Sequence, residues 1–477
     1  MAHETIQALL HDLAPAARVD EQGQLHIVDE ATLRAAMDWL QVDGTFGPAP
    51  VKSLARWIVW EAGQALYAQP ESINDFYMAR GEGKYGALTV PAMNIRGLPY
   101  PTMRAAFRAA LKRNVGAMIF EIARSEMGYC DLRPAEYTMN VIAAALREGF
   151  RGPLFVQGDH FQVSLKAYGK DPEKELQIVR DLIDEALDGG FFNIDIDTST
   201  LVDLDKPTLP EQQYLNYSLA AQLSKYIRDL EPAGITVSLG GEIGEVGGHN
   251  SNVHELRAYM DGYNAELEKL APAATGLSKI SIQTGTAHGG VVMADGSLAQ
   301  IKIDFDVLRD LSNVARDEYG MGGAVQHGAS TLPDEMFRKF ADEGACEVHL
   351  ATGFQTTIFN HPALPATMKQ AIRDYVFANL QSERGPKDSD EQFVYKAGKK
   401  TWGPLKAEWA KLSEADLAPI MQTLEDKFGF LFEQLNVVDT VDLVQTYVTS
   451  TIIHKLLPAE DIAEVVGFVE TATDLAD

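Results

Sequence analysis

From about residue 86 the sequence alternates short β-rich runs with longer helical patterns, and it does so eight times. The runs are "GALTVPAMNI" (86–95), "GAMIFEIA" (116–123), "PLFVQGDH" (153–160), "FFNIDIDTS" (191–199), "GITVSLGGEIG" (234–244), "KISIQTGTAHG" (279–289), "AVQHGAS" (324–330) and "CEVHLATGF" (346–354). Strands punctuated by helices mark βα units around a parallel sheet, and eight of them predict a closed barrel, an α/β fold of the (β/α)8 TIM-barrel class. The helices are credible on their own terms. "DPEKELQIVRDLIDEALDGG" carries a proline in its first turn, apolar residues at helical spacing and a glycine pair at its end.

The flanks read differently. Residues 1–80 contain amphipathic stretches such as "EATLRAAMDWLQ" and are expected to form a helical N-terminal extension, with the catalytic barrel over 81–380. After about 380, "QSERGPKDSDEQ" has loop composition and "EADLAPIMQTLEDKFGFLFEQL" resumes a helical pattern, which gives a helical C-terminal extension over 381–477. No solenoid repeat interrupts this organisation.

Charge narrows the partners. With 41 Lys and Arg against 68 Asp and Glu the formal charge is −27, the wrong sign for a nucleic-acid or anionic-membrane surface, so an anionic substrate must be drawn by a local positive site. Cys130 and Cys346 are too few for a disulfide framework, and the first residues lack a basic segment followed by an apolar one. No run approaches the roughly 18 apolar residues of a membrane span. A cytoplasmic protein that does not cross a bilayer is expected.

In a (β/α)8 barrel, chemistry gathers at the carboxyl ends of the strands. Those ends carry Asp159 and His160, Asp197 and Ser199, Glu242, His288, His327, and His349 with Thr352. His160, His288 and His327 end the third, sixth and seventh runs, and three neutral imidazoles with an open fourth position make a catalytic zinc site. The alternative is three unrelated core histidines; cobalt, iron and manganese are the other metals such nitrogen ligands accept. A Schiff-base mechanism would need a lysine at a strand's carboxyl end, and Lys279 opens its strand at the other end. "HELRA" at 254–258 lacks the second histidine of a helical zinc motif.

The segments "VPAMNI", "GDH", "EIGEVGG", "GTAHGG" and "VQHGASTLPDEMFRKFADEGACEVHLATG" resemble, in order and spacing, those of the class II, zinc-dependent fructose-bisphosphate aldolases, over roughly residues 86–360. The resemblance implies that His160, His288 and His327 hold the catalytic Zn2+. It implies that Asp159 handles the aldehyde oxygen as an acid/base, the alternative being a carboxylate that orients an imidazole. Asp197 and Glu242 match family carboxylates that help bind a second cation, divalent or monovalent. Asn94, Gly289, Gly328, Ser330 and Thr352 match substrate- and phosphate-binding positions. Thr331 and Asp334 have capping-box spacing, and the helix they would open offers backbone N–H groups to a phosphate.

The implied reaction is the reversible retro-aldol cleavage of a ketose phosphate, fructose 1,6-bisphosphate to dihydroxyacetone phosphate and glyceraldehyde 3-phosphate, by a homo-oligomer (dimer or tetramer) acting on a small sugar phosphate. An aldolase for another sugar phosphate or sugar acid, and a non-catalytic aldolase-like scaffold subunit, are the alternatives. Four departures favour them. The fifth-strand loop reads "EVGGHNSNVHE" where the family has the glutamate that moves the donor's C1 proton, leaving His249, Glu245 or Glu255 as the base, or no base at all. The eighth strand has "HLAT" for "NIDT", so His349 and Ala351 replace an asparagine and a phosphate-contacting aspartate. Ala123 stands near a family serine, and Leu405, beside Lys406, stands where the family has a substrate-binding arginine.

Overall fold

The computed structural model describes residues 2–20, 22–244, 249–285, 303–329 and 332–458. Eight parallel strands are numbered here in chain order: β1 (Val90–Asn94), β2 (Ile119–Ala123), β3 (Leu154–Gln162), β4 (Asn193–Asp197), β5 (Ser238–Glu242), β6 (Lys279–Ile282), β7 (Ala324–Gln326) and β8 (Glu347–Leu350). Each pairs with the next, and β8 returns to β1 with Glu347 opposite Val90, closing the barrel. Every expected run holds one strand, and the (β/α)8 fold is as the alternation predicts.

Successive side chains on a strand face opposite sides, and these strands are covered on both. Phe120, Ile122, Ile194, Ile196, Ile280, Ile282, Val348 and Leu350 form the buried apolar set. Between them, at the alternate positions, stand Glu121, Asp195, Lys279, Glu347 and His349, so the barrel interior is polar. Gly240 makes room for this interior. A Cβ there would lie 2.1 Å from Asp195 Oδ1 and 3.0 Å from Lys279 Cε.

One irregularity shapes the mouth. The β3–β4 register shifts between Gly158 and Phe161, and His160 inside that bulge takes φ 43°, the left-handed region that a side chain rarely adopts. In a regular strand Asp159 and His160 would point to opposite faces. The bulge brings both into the interior.

The N-terminal extension differs in part from expectation. Helices Ile6–Leu13, Glu30–Phe46, Ala49–Ala65 and Asn74–Gly81 are present, but Ala17–Val19 and Leu25–Ile27 form an antiparallel pair. Their turn is closed by Gly23, at φ 72°, donating to Asp20 O over 2.9 Å. Pro70–Glu71 adds a short strand beside the start of β3, along the edge that β4 occupies further on. At the other end, helices Ala366–Asn379, Asp390–Ala397, Glu414–Gln434 and Val441–Tyr447 pack back on the barrel. The two extensions meet where Trp57 and Trp60 donate their indole N–H to Lys455 O (2.9 Å) and Ile453 O (2.7 Å). No helix among the described residues is long and apolar enough to cross a membrane.

Glu71 anchors this junction by accepting from Thr451 N, and burial pushes its carboxyl up to about 8. A raised acid pKa means that the folded state holds the proton more tightly, so this contribution is full below the ordinary glutamate value of 4.5 and is lost as pH rises through about 8. Glu71→Gln is therefore expected to raise stability at pH 9 by about 2–4 kcal/mol and to leave it nearly unchanged at pH 4.5, as read from urea unfolding at both pH values.

Candidate metal centre

Three imidazoles lie side by side at the carboxyl ends of the strands. The His160 and His327 ring centroids are 4.5 Å apart, and those of His327 and His349 are 4.1 Å apart. Two are expected ligands; the expected third, His288, lies outside the described residues, as do Gly289, Ser330, Thr331 and Glu245.

His160 is oriented by Asp197, whose Oδ2 lies 2.9 Å from Nδ1. Asp197 is itself fixed by donors from Ser199 Oγ (2.6 Å) and Gln162 Nε2 (2.6 Å). This is the carboxylate–imidazole arrangement that sets a ligating histidine's tautomer, with Nε2 turned to the metal. Asp197 thus contacts the histidine directly. Glu242 Oε2 is 3.6 Å from His160 Nδ1 and 3.9 Å from His327 Nε2. Ligand atoms of His160, Glu242 and His327 all fall within 4.8 Å of one another.

Two imidazoles and a carboxylate fit zinc. The electrostatics agree: burial, and then repulsion from Asp197, push the Glu242 carboxyl up to about 8, a penalty that a cation at this point removes. Replacing Asp197 by asparagine is expected to weaken zinc binding about 10–100-fold, measured by competition with a chelating indicator, while the fold is kept.

Behind His327 the backbone turns through Gly328 at φ 72°, a conformation that accounts for glycine there without any ligand. Ser281 Oγ lies 3.0 Å from His327 Nε2. Asp159 Oδ1 is 3.8 Å from His160 Nε2 and 3.3 Å from His349 Nδ1. Burial alone would raise its pKa, but the facing imidazoles hold this carboxyl well below the usual range.

Beneath the mouth lies a charge network that sequence reasoning missed. Lys279 is fully buried, with Nζ 2.6 Å from Gln157 Oε1, 2.6 Å from Glu347 Oε1 and 2.9 Å from Asp195 Oδ1. Burial works against its charge, yet the two carboxylates outweigh burial and raise the pKa of the ammonium, the opposite direction to the neutral amine a Schiff base needs. Glu347 also accepts from Tyr77 OH (2.5 Å) and Gln157 Nε2 (2.8 Å) and lies 2.6 Å from His349 Nε2. The available signal was a charge at the alternate position of each apolar run, as in "FEIA", "NIDID", "KISI" and "CEVHL".

The remaining expected residues sit around this centre. Asn94, at the end of β1, donates to Glu126 Oε2 (2.7 Å) and accepts from Arg96 Nε (3.2 Å), while Arg96 pairs with Glu126 at 2.6 Å. Thr352 opens the helix Thr352–Asn360 directly after β8. His249 is exposed, with Nε2 3.1 Å from Glu255 Oε1, and Glu255 closes the capping box of helix Val253–Leu270. The helix expected behind "HGAS" is short. Asp334–Met336 is a 3-10 turn, the helix proper is Phe337–Asp342, and the Asp334 carboxylate pairs with Lys427 at 2.8 Å. Lys406 is tied to Glu136 at 2.7 Å.

A sequence model of the family described as "Fructose-bisphosphate aldolase class-II" matches residues 62–403. Among solved structures, the fructuronate-tagaturonate epimerase of Cohnella laeviribosi is similar over 89% of this chain and 90% of its own, at 13% identity and a TM-score of 0.54. Fructose-bisphosphate aldolase from Campylobacter jejuni matches over 78% of this chain and 97% of its own, at 17% identity and a TM-score of 0.45. A probable tagatose 6 phosphate kinase from Sinorhizobium meliloti matches over 81% and 98%, at 16% identity and a TM-score of 0.49. At 13% identity the likeness to the epimerase shows the fold alone.

Proposed function

This chain belongs to the class II fructose-bisphosphate aldolase family, and from that premise we propose that it is a zinc-dependent, cytoplasmic aldolase cleaving a ketose phosphate, fructose 1,6-bisphosphate, to dihydroxyacetone phosphate and glyceraldehyde 3-phosphate. The observation that carries this reading is the convergence of His160, Glu242 and His327 at the barrel mouth, with Asp159 beside them. His288 is assigned as the third imidazole. When bound, zinc supplies Lewis acidity toward a ketone carbonyl.

The chain's own residues then have distinct tasks. In the cleavage direction Asp159, held ionised by the imidazoles around it, takes the C4 hydroxyl proton as the C3–C4 bond breaks. The electron pair stays on the donor fragment, and His249, backed by Glu255, returns a proton to that carbon. Gly289, Gly328, Ser330 and Thr352 receive the phosphate, and Asn94, clamped by Glu126 and Arg96, faces the substrate. Cys130 and Cys346, both buried and unbridged, suit a reducing compartment. The active form is a homo-oligomer.

A second reading, an aldolase for another sugar phosphate or a sugar acid, is favoured by one specific observation: His349 and Ala351 end the eighth strand where the family has an asparagine and a phosphate-contacting aspartate. Zinc-loaded protein incubated with a panel of ketose phosphates and ketose acids tests both. Triose phosphate from fructose 1,6-bisphosphate supports the first, cleavage of another member supports the second, and cleavage of none leaves the scaffold.

The base has its own test. His249→Ala is expected to slow exchange of the C1 hydrogen of dihydroxyacetone phosphate into deuterated water by roughly 10²–10⁴. Unchanged exchange removes His249 and moves attention to Glu245 and Glu255.

A further inference from the structure

The interior of the barrel gathers six acidic side chains around a single small volume. Glu121, Asp159, Asp195, Asp197 and Glu347 are buried there and Glu242 is nearly so, and Lys279 pairs with two of them, Asp195 and Glu347. Buried acids persist when paired or metal-bound.

One group in this interior is arranged as a ligand set. His349 Nε2 lies 2.6 Å from Glu347 Oε1, and Glu347 is immobilised by Lys279, Tyr77 and Gln157. A carboxylate on one ring nitrogen fixes the tautomer and turns the other nitrogen into a donor. That other nitrogen, Nδ1, faces two acids: Glu121 Oε2 at 3.1 Å and Asp159 Oδ1 at 3.3 Å. Neither is aligned for a hydrogen bond. His349 Nδ1, Asp159 Oδ1 and Glu121 Oε1 are all buried and lack a hydrogen-bond partner. Ligand atoms of Asp159, His327 and His349 lie within 4.8 Å of one another, and Asp159 Oδ1 stands between His349 Nδ1 and His160 Nε2.

We propose that a second divalent cation binds inside the barrel next to the first, held by His349 Nδ1, Glu121 and Asp159 Oδ1, with Asp159 Oδ2 left for the proton transfer assigned to it above. It rests on the metal reading of the mouth. Nitrogen and carboxylate ligands suit zinc, manganese, cobalt or ferrous iron. The position is distinct from one beside Asp197 and Glu242, and His349 is the residue that creates it.

Equilibrium dialysis of the chelator-stripped full-length protein against Zn2+, followed by elemental analysis, reads the stoichiometry directly. Two equivalents per chain are expected, falling to one in His349→Asn, with Glu121→Gln weakening the second equivalent at least about tenfold. One equivalent in the parent, or two in His349→Asn, overturns the proposal and leaves the mouth site standing; none in the parent overturns both. Should the variants fail to fold, Mn2+ alone in the parent decides by electron paramagnetic resonance. A spin-coupled spectrum at two equivalents is expected, and an isolated six-line signal there overturns the proposal.

Discussion

His327→Ala is expected to abolish high-affinity zinc binding and to lower kcat/KM by roughly 10³-fold or more. The ring lies in two overlapping groups of potential ligand atoms, one with His160 and Glu242 and one with Asp159 and His349, so its loss removes a ligand from the mouth and a packed neighbour from His349. A catalytic metal contributes several kcal/mol of charge stabilisation, and each 1.36 kcal/mol is a factor of ten in rate. The readouts are metal content and turnover on the same preparation. Full zinc content with full turnover would remove His327 from the ligand set, whereas lost turnover with zinc retained would assign it to the substrate instead.

The largest effect on stability is expected from Lys279→Met. The ammonium is the single lysine or arginine charge among the described groups between Asp195 and Glu347, and its removal leaves two buried carboxylates facing each other. Breaking a buried pair from one side costs about 3–5 kcal/mol, because the surviving charge is desolvated and unpaired. Lys279→Met combined with Glu347→Gln is expected to recover part of that loss, which urea unfolding of the four members of the cycle measures.

The pH dependence follows from the two shifts. For Glu347 burial raises the pKa, but the charge of Lys279 outweighs it and the folded value is depressed, so its contribution is present above the ordinary carboxylate range and lost only as pH falls through the depressed value. The folded Lys279 value is raised, so that contribution is lost only above the ordinary lysine range. The difference between parent and Lys279→Met should therefore stay constant from about pH 6 to pH 9. A difference that vanished within that window would mean the pair is not ionised in the folded state.

How far the sequence could be read depended on what each residue type must do. The barrel strands stood out because burial on both faces makes them near-continuous apolar runs, and His160 and His327 because each follows such a run into a turn. The pair Ala17–Val19 and Leu25–Ile27 was hidden, since three-residue strands carry too little periodicity to separate from helix. The bulge at His160 was hidden for a different reason: nothing in "GDHFQ" marks a left-handed residue, and the twist it imposes decides that Asp159 and His160 share one side. Glu121, Asp195 and Glu347 were passed over, and Lys279 was weighed only as a Schiff-base lysine, because a charge inside an apolar run reads as an interruption, whereas in a closed barrel it is the side that faces inward. His349 was seen as a strand-end residue and as a replacement for an asparagine, not as part of a buried network. Its setting, with Glu347 on one nitrogen and Glu121 and Asp159 on the other, exists only once β2, β3 and β8 are brought together.

The central claim is that a metal held at this mouth drives deprotonation of a phosphorylated ketone. Exchange of the C1 hydrogen of dihydroxyacetone phosphate into deuterated water, followed by NMR on the zinc-loaded protein before and after chelation, tests it most directly, because exchange needs no acceptor aldehyde. Stereospecific exchange that disappears with the metal and returns on adding zinc is the predicted result. No exchange from a protein that retains zinc, or exchange that survives full removal of metal, would contradict the account.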